Sequence, residues 1–175
     1  MQYADPTKLR AYFFGNMYLS DKQHGIQAAH VVTKMFAKYG RVHEGDDSVA
    51  ADLLYDWSDD GVTKILLNGG YQSNLAVVYE ALEEMCPSLE LPFAKFHEEE
   101  ASLNGALTSV GVVVPEEIYA MYNDPAWDEF RRYHPCNGAD AATVLYHYRD
   151  AVAELGHTGH ASAYLYFLLK TARLA

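Results

Sequence analysis

Ala11–Val32 reads AYFFGNMYLSDKQHGIQAAHVV. Its first nine residues, Ala11 to Leu19, are mostly apolar and stop at the polar hinge Ser20-Asp21-Lys22-Gln23-His24-Gly25. An apolar run bounded in this way predicts a buried strand, then a loop, then a helix. The helix is expected over Gly25 to Tyr39, where Ile26, Ala29, Val31, Val32, Met35 and Phe36 recur at helical spacing and Lys34 and Lys38 take the other side. Ligands of open α/β sheets bind at such strand-to-helix corners, so the corner is the first candidate site.

The pattern repeats downstream. Gly40 to Asp47 is a polar loop, and Ser48 to Trp57 is expected to form a short helix. Val62 to Leu67 is a second buried strand ending at Asn68-Gly69-Gly70, and Gln72 to Met85 is a helix that Pro87 prevents from continuing. Leu91 to Phe96 is a third strand; Leu107 to Val114, rich in β-branched residues, is a fourth. Pro115-Glu116-Glu117 opens a helix, with carboxylates at the positive end of its dipole. Beyond Tyr122 come a turn-rich segment with a short helix over Trp127 to Tyr133, then helices over Ala139 to Leu155 and Ala161 to Leu174. The expectation is an α/β core over residues 1–122, a single domain with a mixed sheet of about four strands flanked by helices. Residues 123–175 form a helical C-terminal extension folded onto the core or onto a partner.

Bulk composition narrows the function classes. Half of the 175 residues are hydrophobic, yet no run approaches the roughly 18 apolar residues of a membrane span. The N-terminal MQYADPTKLR lacks the apolar core of a secretory signal, so a cytoplasmic, membrane-free protein is expected. A net charge of −11, with only 13 Lys and Arg, disfavours a broad nucleic-acid face and confines any tRNA or nucleotide contact to a local site. The same charge fits a protein partner with a basic face. Cys86 and Cys136 have no metal or redox spacing and read as reduced structural thiols.

The order of strand, polar corner and helix carrying Gln27-Ala28-Ala29-His30, followed by Trp57, Thr63-Lys64-Ile65-Leu66-Leu67, Leu91-Pro92 and Gly105 to Val114, resembles the type 2 peptidyl-tRNA hydrolase family. The similarity runs from about Tyr12 to Tyr119. It implies hydrolysis of the ester joining peptide to tRNA, for which the family uses a lysine in the first corner, an aspartate after the third strand, and threonines around a Gly-Thr step before the last strand. Here Lys22 is the only lysine of that corner. Glu98-Glu99-Glu100 stands where the aspartate would be, and Gly105 is followed by Ala106, leaving Thr108 and Ser109 nearby. A looser resemblance joins the YLS…GIQAAH corner and the ILLNGG strand end to uncharacterised bacteriophage proteins, which implies a viral origin and a host cytoplasm as location.

Ester hydrolysis needs an activated water, an oxyanion donor and a cation near the phosphate. The residues set out for this are Lys22, His30, Glu99 and Thr108 as catalytic, with Ser20, His24, Gln27, Asn68, Gly69, Gly70 and Asn104 binding substrate. His30 reads either as a structural histidine near the sheet or as one facing a site; Lys22 and His24 read as functional groups or a solvated loop. The Gly69-Gly70 step lets backbone approach a ligand, or is a tight turn that Gln72 or Ser73 helps cap. Glu98 to Glu100 is either the acidic start of a helix or the substitute for the aspartate. His157 and His160 could pair on a metal, but no third ligand accompanies them, so neither metal nor cofactor is expected. Against the esterase stands a non-catalytic acidic module that binds another protein, or a second copy, through acidic residues of Arg41 to Asp60 and its tyrosine-rich C-terminal helices, as an antagonist of a host factor.

Overall fold

The computed structural model describes residues 8–40, 48–120 and 160–172. Their element order is β1 (Arg10–Gly15), α1 (Asp21–Tyr39), α2 (Val49–Asp56), a π-helical turn (Trp57–Gly61), β2 (Thr63–Asn68), α3 (Gln72–Met85), β3 (Phe93–His97), α4 (Glu100–Leu103), β4 (Leu107–Val114), α5 (Glu116–Tyr119) and α6 (His160–Thr171). The strands form one mixed sheet in the order β2-β1-β4-β3. β1 and β2 run parallel, and β4 runs antiparallel to both β1 and β3. The alternation of strands and helices thus yields the expected single α/β domain with a four-stranded mixed sheet.

β1 and β4 lack polar alternation because they are central and covered on both faces. Phe13 and Phe14 are both fully buried, and every residue of β4 is buried. The two phenylalanines separate the faces. A side chain at Gly111 would meet the Phe13 ring and Val31 of α1, whereas one at Gly69 would meet Phe14 and Leu75 of α3. Helix α1 therefore lies on one face and α3 on the other. α6 packs beside α3 and α5, burying Leu165, Tyr166, Leu168 and Leu169 in the same core. That part of the extension folds onto the domain itself. The expected helices over 127–133 and 139–155, with Tyr146, Tyr148, Cys136 and His157, lie outside the described residues.

Several boundaries differ from expectation. β1 stops at Gly15 rather than Leu19, because Leu19 N–H returns to the Asn16 carbonyl at 3.0 Å and closes a turn. α1 begins at Asp21, not Gly25: Ser20 and Gln23 form a reciprocal cap, with Ser20 N–H donating to Gln23 Oε1 at 3.0 Å and Gln23 N–H to Ser20 Oγ at 3.4 Å. Lys22 and His24 are thus helical and not parts of a loop. Val62, expected to start the second strand, instead adopts a left-handed conformation (φ 45°, ψ 14°) that ends the π-helical turn. No described helix is long and apolar enough to cross a membrane.

Candidate functional site

Parallel pairing puts the carboxyl ends of β1 and β2 on one rim, with Gly15 opposite Asn68. Antiparallel β4 brings Ser109 to the same rim, opposite Gly15. Backbone bonds lace the rim together: Gly69 N–H to Gly15 O at 2.7 Å, Met17 N–H to Gly70 O at 2.8 Å and Asn16 N–H to Thr108 O at 3.0 Å. Both polar corners therefore open side by side. Since α1 leaves β1 toward one face and α3 leaves β2 toward the other, the chain diverges between the two strands. Ligands of open α/β sheets bind at such divergences.

A bulge builds the adjoining part. Phe96 pairs with Ser109 and His97 with Leu107, which leaves Thr108 as the extra residue of β4. Bulges re-aim side chains, and this one delivers Thr108 to α1. There its hydroxyl donates to Gln27 Oε1 at 3.0 Å, while Gln27 Nε2 donates to Glu98 Oε1 at 2.5 Å. Thr108 is 2% exposed and Gln27 6%. The carboxylate fixes which way the Gln27 amide points, because the opposite orientation would set its carbonyl against Glu98. Glu98 is held further by its own N–H on the Ala106 carbonyl and by Ser102 Oγ at 3.4 Å from Oε2.

Beside this network His24 is 3% exposed on the inner face of α1. Its ring fills the space above Gly15, where no other residue's side chain fits. Burial lowers the imidazole pKa; the Phe13 carbonyl and the Asp21 charge oppose that shift more weakly. The ring is therefore neutral near pH 7. Among the described residues, His24 Nε2 and Ser109 Oγ are buried side-chain atoms without a hydrogen-bond partner. Both belong to the row defined by the Gly15–Ser109 pair.

The remaining candidates are dispersed around the rim. Lys22 is exposed in the first turn of α1, where Ser20 is the cap. His30 is exposed and stacks on Phe96, with centroids 4.4 Å apart and planes 16° apart. Glu99 is exposed at the N-cap of α4, and Asn104 ends that helix in a left-handed conformation (φ 52°). Asn68 Oδ1 accepts from Gly70 N–H at 2.9 Å, and Gly70 itself needs φ 76°. Asn74, rather than Gln72 or Ser73, caps α3 by accepting from Tyr71 N–H at 2.9 Å. The structure thus joins Gln27 and Thr108, brings His24 under the same rim, and selects Glu98 instead of Glu99 as the engaged carboxylate. The sequence placed Ser109 beside Thr108 and Tyr18 and Tyr71 at the two corners, but gave none of the three a site role. Cys86 is a buried free thiol whose pKa burial pushes up to about 12, which suits a structural role. Among the described residues no group of His, Cys, Asp or Glu is arranged to hold a metal ion.

Chemically, the arrangement offers a partly buried carboxylate on a rigid amide, a buried neutral imidazole, and an exposed ammonium on the neighbouring turn. No protein-family model and no curated protein matches the chain.

Proposed function

We propose that the chain is a hydrolase of the peptidyl-tRNA hydrolase type, cleaving the ester of peptidyl-tRNA or a related nucleotide ester. The observation that supports this reading is the Thr108–Gln27–Glu98 network. Three residues from separate parts of the chain converge at the carboxyl ends of the parallel strands, each with its partner atom fixed. In the proposed reaction water attacks the ester carbonyl and Glu98 takes its proton. The acyl–oxygen bond then breaks, and the proton passes from Glu98 to the departing ribose oxygen. Gln27 and Thr108 position Glu98. Lys22 attracts the substrate phosphate, which a chain of net charge −11 requires locally. Such a substrate places the protein in the cytoplasm, that of a host cell if the gene is viral.

The test is release of free tRNA from peptidyl-tRNA by the purified protein. Glu98→Gln should lose at least about a hundredfold in kcat/KM, the usual worth of a positioned acid–base group. Wild-type protein no faster than Glu98→Gln would end the proposal.

A second reading, an acidic protein-binding module without catalysis, draws on the same net charge and on the exposed Tyr18 and Tyr71. α6 contributes little to it, because Leu165, Tyr166, Leu168 and Leu169 are spent on the core. Affinity capture of a defined partner or a homo-oligomer on sizing, with no turnover, would favour it.

A further inference from the structure

We infer that Tyr18 and Tyr71 form a stacking platform for a nucleobase where the β1 and β2 corners meet. This rests on the nucleotide-ester reading and deepens it, since it names the part of the substrate the rim would hold. The two rings come from different corners, yet their centroids lie 5.6 Å apart at an angle of 57°. Tyr18 is 77% exposed and Tyr71 51%, with Met17 beside them at 44%. Large side chains held in water at the strand tips, with no core to fill, suit a ligand with a π-face.

The backbone that presents them is held in place. Tyr18 N–H donates to Asn16 Oδ1 at 3.1 Å, Tyr71 N–H donates to Asn74 Oδ1 at 2.9 Å, and the Met17–Gly70 backbone bond ties one corner to the other. A stacked base would lose little to the ordering of such a platform. Charge points the same way. Although the chain holds 24 Asp and Glu, neither Gly15 to Ser20 nor Asn68 to Asn74 contains one, and in the first turn of α1 the charge of Asp21 is offset by that of Lys22. The two segments that carry the tyrosines are thus themselves free of carboxylates, Glu98 standing further along the same rim.

The test is fluorescence anisotropy of an end-labelled single-stranded oligoadenylate titrated with the full chain, with adenosine 5′-monophosphate as competitor. Tyr18→Ala and Tyr71→Ala should each weaken binding at least about tenfold, as expected for loss of a base–aromatic stack. Tyr18→Phe and Tyr71→Phe should retain binding within about threefold, because the π-face survives. Thermal unfolding of all four variants should match wild type, both side chains being exposed. Oligoadenylate binding that persists while peptidyl-tRNA cleavage is absent upholds the platform and removes the hydrolase. Cleavage whose KM is unchanged in the alanine variants does the reverse. No binding by the wild-type chain, or capture of a protein through the tyrosines without any binding of RNA, overturns the platform.

Discussion

The imidazole of His24 occupies the space above Gly15 that a side chain at that position would need: a Cβ built on Gly15 would collide with Nε2, Cδ2 and Cε1 of the ring. Because His24 is only 3% exposed, it has no open side to retreat to. Gly15→Ala should therefore destabilise the fold by about 1–3 kcal/mol, the range for overpacking a filled core. Removing the ring as well should restore part of the loss. Urea unfolding of Gly15→Ala, His24→Ala and the double variant would measure it, and simple additivity would contradict the contact.

The same burial makes stability depend on pH. The folded state holds the His24 pKa below its ordinary value, so on acidification the unfolded chain binds its proton first. The favourable contribution is complete above the unfolded pKa of about 6.5 and is lost as pH falls through that value toward the lower folded one. Unfolding midpoints at pH 7.5 and pH 5 should differ more in wild type than in His24→Gln. Equal differences would mean that another group governs the acid limb.

In the rim network Thr108→Val removes the hydroxyl that faces Gln27 Oε1 and leaves that oxygen buried without its partner. A loss of about 1–3 kcal/mol should follow. Since Gln27 also holds Glu98, the proposed ester cleavage should fall in Thr108→Val and far less in Glu99→Gln, whose carboxylate is exposed at the start of α4. Parallel measurement of unfolding and kcat/KM separates the two effects; equal activity in wild type and Thr108→Val would exclude Gln27 as a positioning residue.

Val62 is a β-branched residue at φ 45° and is 48% exposed. Left-handed backbone costs an ordinary residue about 1–2 kcal/mol, and little apolar burial offsets it here. Val62→Asn, or Val62→Gly with its greater loss of unfolded entropy, should raise stability by about 0.5–1 kcal/mol. Chemical denaturation would show it as a higher midpoint with an unchanged slope.

How far the site was legible can be traced residue by residue. Ser20-Asp21-Lys22-Gln23 is itself a capping-box pattern, so the true start of α1 was present in the sequence, although the apolar run before it continues past the end of β1. Once α1 begins at Asp21, a period of 3.6 aligns His24 with Ala28, Val31 and Met35 on the buried face. It also turns His30 outward, onto Phe96. The choice among Glu98, Glu99 and Glu100 was not legible, because it depends on a bulge in a strand that follows them.

By itself the sequence determined the elements and the class of fold: unbroken apolar runs had to be covered on two faces, and the intervening helical periods supplied the covers. It also marked Ser20 to His24 and Asn68 to Tyr71 as corners, through polar and glycine residues at strand ends. Only the tertiary structure decided that these corners share a rim, through the parallel register of β1 with β2. The meeting of Thr108 with Gln27 and Glu98, and of Tyr18 with Tyr71, was settled there as well. The reason is physical. Periodicity and capping act within a few residues, whereas register, bulges and the face a helix takes are set by packing between segments far apart in the chain.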